Sequence, residues 1–323
     1  MARLELGGYL PLESLRPSAN SHSLHADAIA LNSGRNALRY LLSGSSFERI
    51  YLPSYICGSV TDVLTEMALP FELYGTSTTL EPLLGSIEPG TNDCVIVVNY
   101  FGVVSKAVRG LVSSLPNTIV DNTQAFFSEC RGSVGTFVSP RKFFGVPDGG
   151  YAYASTRKTE SLVQDDSTDR WAHLKLRREQ GAAAGYSAYR ENESRISTLG
   201  LRGMSASTAG VLEQLDYSDI ARVRTSNFNA LHSELASLNE LEMDTDTIYG
   251  PMAYPLLLKN SGTVREALIA RSIFVPRYWP DMPAASSDTG AHYLANNLLP
   301  LPIDQNVGES ELTYLLEHLR ELL

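Results

Sequence analysis

From about residue 30 to 155, short apolar runs alternate with segments of helical periodicity. LNSGRNALRYLLSG, residues 31–44, sets Ala37, Leu38, Leu41 and Leu42 on one face after a polar turn, with Gly44 placed to end the helix. RIYLP (49–53) and FELYG (71–75) predict short strands, and SVTDVLTEMAL between them predicts a helix beginning near Ser59. DCVIVVNYFG (93–102) is so continuously apolar that it reads as a strand buried on both faces of a parallel sheet. TIVDN (118–122) and GTFVS (135–139) repeat the pattern, each ending on polar residues. A Pro-Asp-Gly-Gly turn then leads into alternating Tyr-Ala-Tyr-Ala, residues 151–154, suited to one more strand. Strands alternating with helices imply a parallel or mixed sheet, which gathers ligand-binding groups at the C-terminal ends of its strands.

The pattern changes after that. Residues 156–200 are rich in charged residues and serine and read as solvent-facing helix and loop. Ser205 to Leu238 has apolar residues at helical spacing, enough for one long helix or two in succession. From about residue 248, the strand-like AYPLLLK, IFVPRYWP and LLPLPI mix with two helical stretches, VREALIARS and SELTYLLEHLREL. That is an α+β layer. The expected division is a large α/β domain with an N-terminal arm over 1–205, then an interdomain helix and a small C-terminal α+β domain over 206–323.

Composition narrows the function. The 323 residues are 43% hydrophobic and 19% charged, enough for a sizeable core, and the formal charge of −10 offers no cationic excess for nucleic acid. Cys57, Cys94 and Cys130 are widely spaced, with no Cys/His cluster, and read as free thiols of a reducing compartment, not as a metal site. No basic leader precedes an apolar core segment, and no run approaches 18 apolar residues, so the expectation is a cytoplasmic protein outside the membrane.

Four polar clusters fall at predicted strand ends or helix starts. Asn32-Ser33-Gly34-Arg35-Asn36 could present a helix N-terminus to a phosphate, or be an ordinary cap. Asp121-Asn122-Thr123-Gln124 leaves a buried strand, where an aspartate could face a protonated ring nitrogen, or simply cap a turn. Tyr55-Ile56-Cys57 could cover a ring face or pack in the core. The last cluster is SPRKFFGVPDGG, where Lys142 follows Ser139 by three residues and precedes two phenylalanines. Desolvation favours the neutral, nucleophilic amine, whereas a snorkelling lysine would lay its stem on Phe143 or Phe144. Taken together, a phosphate cradle, an aspartate, a glutamine and a nucleophilic lysine are what pyridoxal 5′-phosphate requires.

In this order the motifs resemble the DegT/DnrJ/EryC1/StrS family of pyridoxal-phosphate-dependent sugar aminotransferases. LNSGRNAL is similar to the family's Ser-Gly-Thr-x-Ala-Leu phosphate segment, and VVNYFGV to its Val-His-Leu-Tyr-Gly strand end. IVDNTQAF resembles Glu-Asp-Ala-Ala-Gln, SPRKFFGVPDGG the Ser-to-Lys loop, and LLPLPIDQNVGESELTYLLEHL the closing strand and helix. The resemblance implies fold type I: a large domain with a mainly parallel sheet plus a small C-terminal α+β domain, in a homodimer that shares its active sites.

It further implies Lys142 as the catalytic lysine that holds the cofactor, Asp121 at the pyridine nitrogen, and Gln124 near the ring hydroxyl. Gly34, Arg35 and Ser139 would hold the phosphate, and no metal is called for. Arg35 stands where the family has threonine, and Cys57 where it has the ring-stacking aromatic, which leaves Tyr55 as another candidate. LGLRGMSAS replaces a segment through which a neighbouring subunit often reaches the phosphate, with Arg202 and Ser205 as candidates for its asparagine. The implied reaction is ping-pong transamination from an amino acid, glutamate by expectation, to a nucleotide-linked keto-sugar, with Arg277 free either to bind an acidic substrate group or to brace the small domain. Two alternatives stay open: another reaction or a non-sugar substrate on the same fold, and a non-catalytic scaffold. The retained Lys142 speaks against the dehydratase branch, which has histidine there.

Overall fold

The apolar runs of the first half become neighbours in one large sheet. The computed structural model describes residues 4–15, 24–156, 161–280 and 288–323. In chain order the strands are β1 (Leu6–Gly7), β2 (Ile29–Leu31), β3 (Arg49–Pro53), β4 (Phe71–Thr76), β5 (Pro82–Leu83) and β6 (Asp93–Val98). They continue with β7 (Thr118–Asp121), β8 (Gly135–Val138), β9 (Gly150–Ala154), β10 (Tyr254–Leu257), β11 (Ile273–Phe274) and β12 (Leu298–Leu301). The helices are α1 (Gly34–Leu42), α2 (Gly58–Glu66), α3 (Ser105–Val112), α4 (Ala172–Gln180) and α5 (Ala182–Thr198). After them come α6 (Ala206–Leu212), α7 (Tyr217–Leu235), α8 (Gly262–Ala270), α9 (Thr289–Asn297) and α10 (Glu309–Leu322).

Eight strands form the large sheet in the order β2-β9-β8-β7-β6-β3-β4-β5. The pairs β8/β7, β7/β6, β6/β3 and β3/β4 are parallel, whereas β2, β9 and β5 pair antiparallel at the two flanks. β6 shows why a parallel strand looks uniformly apolar: Cys94, Ile96 and Val98 pack into one core, and Val95 and Val97 into a second on the opposite face. Because β3, β6, β7 and β8 run the same way, their polar C-terminal ends meet along one edge of the sheet.

α1 starts where the polar turn predicted it. The Ser33 side chain accepts from the Asn36 amide, while Ala37, Leu38, Leu41 and Leu42 are buried. Its C-cap is Ser43, in extended conformation, and Gly44 follows at φ +77°. The region 205–238 resolves into two helices: Ser205 caps α6 and Asp216 caps α7.

One expectation needs correction and another a refinement. Residues 157–160 of the polar interval lie outside the described residues, and the rest of it is helix and loop with a mostly exposed surface, as its composition suggested, and a small buried seam. α4 and α5 pack on each other around Gly181 at φ +92°, with His173, Leu174, Asn192 and Ile196 buried. IFVPRYWP is a strand over two residues, because Pro276 and Pro280 have no N–H to donate and Trp279 sits at φ +50°. Those two residues pair in parallel with β1, which ties the N-terminal arm to the C-terminal layer. α3 and α9 were not read from the sequence, although Asp288 caps α9 by accepting from the Gly290 amide at 2.9 Å. β10 and β12 form an antiparallel pair, as two of the late runs suggested.

Among the described residues no helix is long and apolar enough to cross a membrane, and no His/Cys/Asp/Glu group could hold a metal ion.

Candidate active site

The chain leaves β8 at Ser139 and turns at once through a short 3-10 helix, Pro140–Lys142. Proline starts this turn well, having no amide to satisfy, and its carbonyl accepts from Phe143 and Phe144, both at 2.9 Å. Lys142 thereby points its Nζ at the end of the neighbouring strand β7, donating to Thr123 Oγ1 at 2.9 Å. Thr123 in turn donates its amide to Asp121 Oδ1 at 2.8 Å. Lysine, threonine and aspartate are thus one chain of contacts across the edge of the sheet.

Burial pushes the Asp121 carboxyl up; the Lys142 charge pulls against it, as do the Thr123 hydrogen bonds. Gln124, the next side chain on this loop, is 1% exposed. Its Oε1 accepts from the amide of Phe101 at 3.1 Å, while its Nε2 is buried with no partner among the described residues. A buried donor left over in this way is suited to an acceptor that the protein does not itself supply.

Gly34 opens α1 against this cluster. A Cβ there would come 3.4 Å from the Thr123 methyl and 3.5 Å from Ser139 Cβ, so helix start, Thr123 and Ser139 meet at one place. The Gly149-Gly150 turn lies on the other side of the helix start: a Cβ on Gly150 would fall 2.2 Å from the Ser33 carbonyl oxygen. Arg35 turns away from this meeting point, donating to the Ser197 carbonyl at 2.8 Å with Asp62 at 3.8 Å. Ser205 is committed to Asp148, through its hydroxyl at 2.7 Å and its amide at 2.9 Å. The Arg202 carbonyl accepts from Asn32 at 3.1 Å, which holds its segment beside the helix start.

Tyr55 and Cys57 follow β3 on the same edge. Tyr55 is 1% exposed and its ring meets that of Trp279 edge-on at 4.5 Å, while its carbonyl accepts from Tyr100 Oη at 2.6 Å. Cys57 sits at the cap of α2 and accepts from the Ser59 hydroxyl at 3.1 Å. Arg277 braces the end of α9, donating to the Ala295 carbonyl at 3.0 Å and to the Asn296 side chain.

The phenylalanines beside Lys142 do not wrap it as their order in the chain suggested. Both rings are fully buried and pack with Phe126 and Phe127; of the two, Phe144 lines the cavity of ≈ 290 Å³ that Lys142 and Ser139 face. The Phe143 carbonyl has a different task. It accepts from Arg224 Nη2 at 3.0 Å and from Gln305 Nε2 at 2.8 Å, and Gln305 also donates to Glu13 at 3.0 Å. This network fixes the turn that carries the lysine, and sequence reasoning missed it. Thr123 was also missed: it was visible inside its cluster, but nothing assigned it to the lysine.

No family model and no curated protein matches the chain. Solved structures do match. The sugar aminotransferase CalS13 from Micromonospora echinospora superposes with a TM-score of 0.67 at 15% identity, over 97% of this chain and 99% of that one. The fold is that of the fold type I transferases. The Helicobacter pylori aminotransferase PseC, involved in the biosynthesis of pseudoaminic acid, gives 0.63 at 12% identity over 98% of this chain and 99% of its own. S. venezuelae DesV, solved in complex with a ketimine intermediate, gives 0.60 at 19% identity, over 91% and 84%. Within the fold type I architecture, the edge that carries Lys142, Thr123, Asp121 and Ser139 is the C-terminal edge of the parallel strands.

Proposed function

We propose that this chain is a pyridoxal 5′-phosphate-dependent aminotransferase of the DegT/DnrJ/EryC1/StrS type. It would move an amino group from an amino acid, glutamate in the first instance, to a keto-sugar carried on a nucleotide. The observation that carries the reading is the contact chain Lys142–Thr123–Asp121, set against Ser139 and the start of α1. That CalS13 is a sugar aminotransferase supports the substrate class.

The residues fit the cofactor. Gln124 offers a buried donor with no partner among the described residues, Asp121 a buried carboxyl group, and Gly34 a helix start whose missing Cβ would only just touch Thr123 and Ser139. Asp121 would sit at the ring nitrogen, Gln124 at the ring hydroxyl, and Ser139 with the backbone at Gly34 at the phosphate. When bound, the cofactor supplies an aldehyde for condensation with amines and a ring that takes up electron density. Lys142 holds it and moves the proton: its Nζ takes one from the amino-bearing carbon of the donor and later returns one to the former keto carbon of the acceptor. Thr123 orients that amine through its hydroxyl. Asp121 would pair with the ring nitrogen and keep it protonated.

We further assign residues 1–205 to the cofactor-binding domain and 206–323 to the interdomain helix and small domain. The working form would be a cytoplasmic homodimer with shared active sites. The test is the visible absorbance of the purified protein with added cofactor, before and after glutamate, for wild type and Lys142→Ala. The expected result is a covalently shifted band in the wild type that glutamate bleaches, and no such band in the variant. A wild type that takes up no cofactor, or a variant that behaves like it, refutes the reading.

A further inference from the structure

Beside Lys142 the cavity wall carries an ion pair with no part in the proton transfers assigned to the lysine. Arg141, the residue before the lysine, pairs through Nη2 with Glu193 on α5, and both side chains line the cavity that Lys142 faces. The pair is half-covered: Arg141 is 17% and Glu193 38% exposed at the side chain. Arg141 Nε, by contrast, is buried and has no partner among the described residues. A guanidinium holds a carboxylate best through two parallel N–H bonds, and here part of that fork stays unmatched.

Lys142, Arg224 and Asp304 are the other charged side chains on this cavity, and the groups nearest the pair are uncharged. Burial, with Arg141 beside it, lowers the His173 imidazole to about 4, so it is uncharged at neutral pH. Tyr9 and Tyr189 stack at 4.7 Å and form an uncharged wall of the same cavity. Two other internal arginines differ in kind. Arg170 pairs with Asp165 at 2.6 Å with both side chains at most 3% exposed, and Arg224 binds carbonyls deep in the core. Both are structural. An ion pair open to solvent on one side is held by less than about 1 kcal/mol, and so yields readily to a competing carboxylate.

We infer that Arg141 is the residue that binds the carboxylate of the amino donor, and that Glu193 holds its place until the donor arrives. The inference rests on the transamination reading, because it is the donor that must bring a carboxylate and an amine together at Lys142. Arg141 suits this position: it adjoins the lysine in the same turn, and a carboxylate held there sets the amino-bearing carbon next to Nζ. The exchange also keeps the cavity electrically balanced. Glu193 neutralises Arg141 in the empty site, and the incoming carboxylate does so in the filled one.

Glutarate, which has the carboxylates of a glutamate-like donor but no amine to react, separates this inference from the function itself. Its binding to the full-length, cofactor-loaded protein is measured by calorimetry for wild type, Glu193→Gln, Arg141→Gln and the double variant. Removing the competitor should tighten glutarate about fivefold, from the worth of a partly exposed pair. Removing the arginine should weaken it about tenfold or more, from the loss of charge-assisted bonds. The double variant should be as weak as Arg141→Gln, which excludes simple repulsion by an unpaired Glu193. Glutaramide, the uncharged control, should bind none of them differently.

Equal glutarate affinity in wild type and Arg141→Gln overturns the inference, as does a Glu193→Gln variant that binds no tighter than wild type. The cofactor absorbance of each protein is recorded alongside. Loss of the band in wild type counts against the proposed function, whereas an intact band with unchanged glutarate binding counts against the role of Arg141 alone.

Discussion

Arg224→Met tests the claim that the lysine turn is held from behind. Arg224, on α7, is fully buried and donates to the Gln305 side chain at 3.0 Å, to the carbonyls of Pro251 and Met252 at 3.3 and 3.2 Å, and to Phe143 at 3.0 Å. Burial lowers its guanidinium from 12.5 to about 10, so holding the charge there costs on the order of 3 kcal/mol. Bonds from a charged donor are each worth about 1.5–3 kcal/mol, so these four more than offset that cost. Methionine removes bonds and charge together and leaves the carbonyls of Pro251 and Met252 without this donor. The net loss should be about 3–5 kcal/mol, what the four bonds are worth beyond the desolvation cost. In a chain of this size that is a fall in Tm of about 4–7 °C. Urea denaturation of wild type and variant measures it directly, with Arg224→Lys as a partial rescue, since one ammonium cannot span all four acceptors. A loss under about 1 kcal/mol with an unchanged m-value would refute the reasoning, for the network would then contribute little beyond packing.

Gly150→Ala should be severe, because its Cβ would lie 2.2 Å from the Ser33 carbonyl and drive the start of α1 away from Ser139; Gly210→Ala, with nothing within 4 Å, is the matched control. A thermal shift of Gly150→Ala no larger than that of Gly210→Ala would contradict the close approach. Acid should destabilise the chain through His25 and His173, whose folded values burial lowers from 6.5 to about 3 and about 4. The unfolded chain then takes up the protons first, so stability falls as pH drops from about 6.5 towards 4, by roughly 2 kcal/mol at pH 5 for His25 and less for the shallower His173. The slope of unfolding free energy against pH over that window should flatten in His25→Gln and in His173→Gln; an unchanged slope in both would rule out the assignment.

The parallel core of the sheet was legible because a strand buried on both faces has to be apolar through its centre, as β6 is from Cys94 to Val98 and β7 at Ile119 and Val120. Lys142, Asp121, Gln124 and Ser139 were legible as candidates because strands pointing one way deliver their polar ends to a common edge, whatever the loops do between. What the sequence withheld are contacts between distant segments. Glu13, Phe143, Arg224 and Gln305 come from four separate parts of the chain, and each alone looks like an ordinary polar or apolar residue.

Local order also misled where a turn reverses direction. Phe143 and Phe144 follow Lys142 immediately, yet the 3-10 turn sends their rings into the Phe126–Phe127 core while the amine points at Thr123. The lysine is therefore positioned less by the aromatics beside it than by the carbonyl behind it. A reactive amine at the tip of a loop would sweep a wide volume. One anchored through the next residue's carbonyl to a buried arginine, and through its own Nζ to a threonine bonded to Asp121, is held at both ends of the side chain. In the proposed transamination, that two-ended anchoring would let one amine meet a donor and later an acceptor at the same point in space.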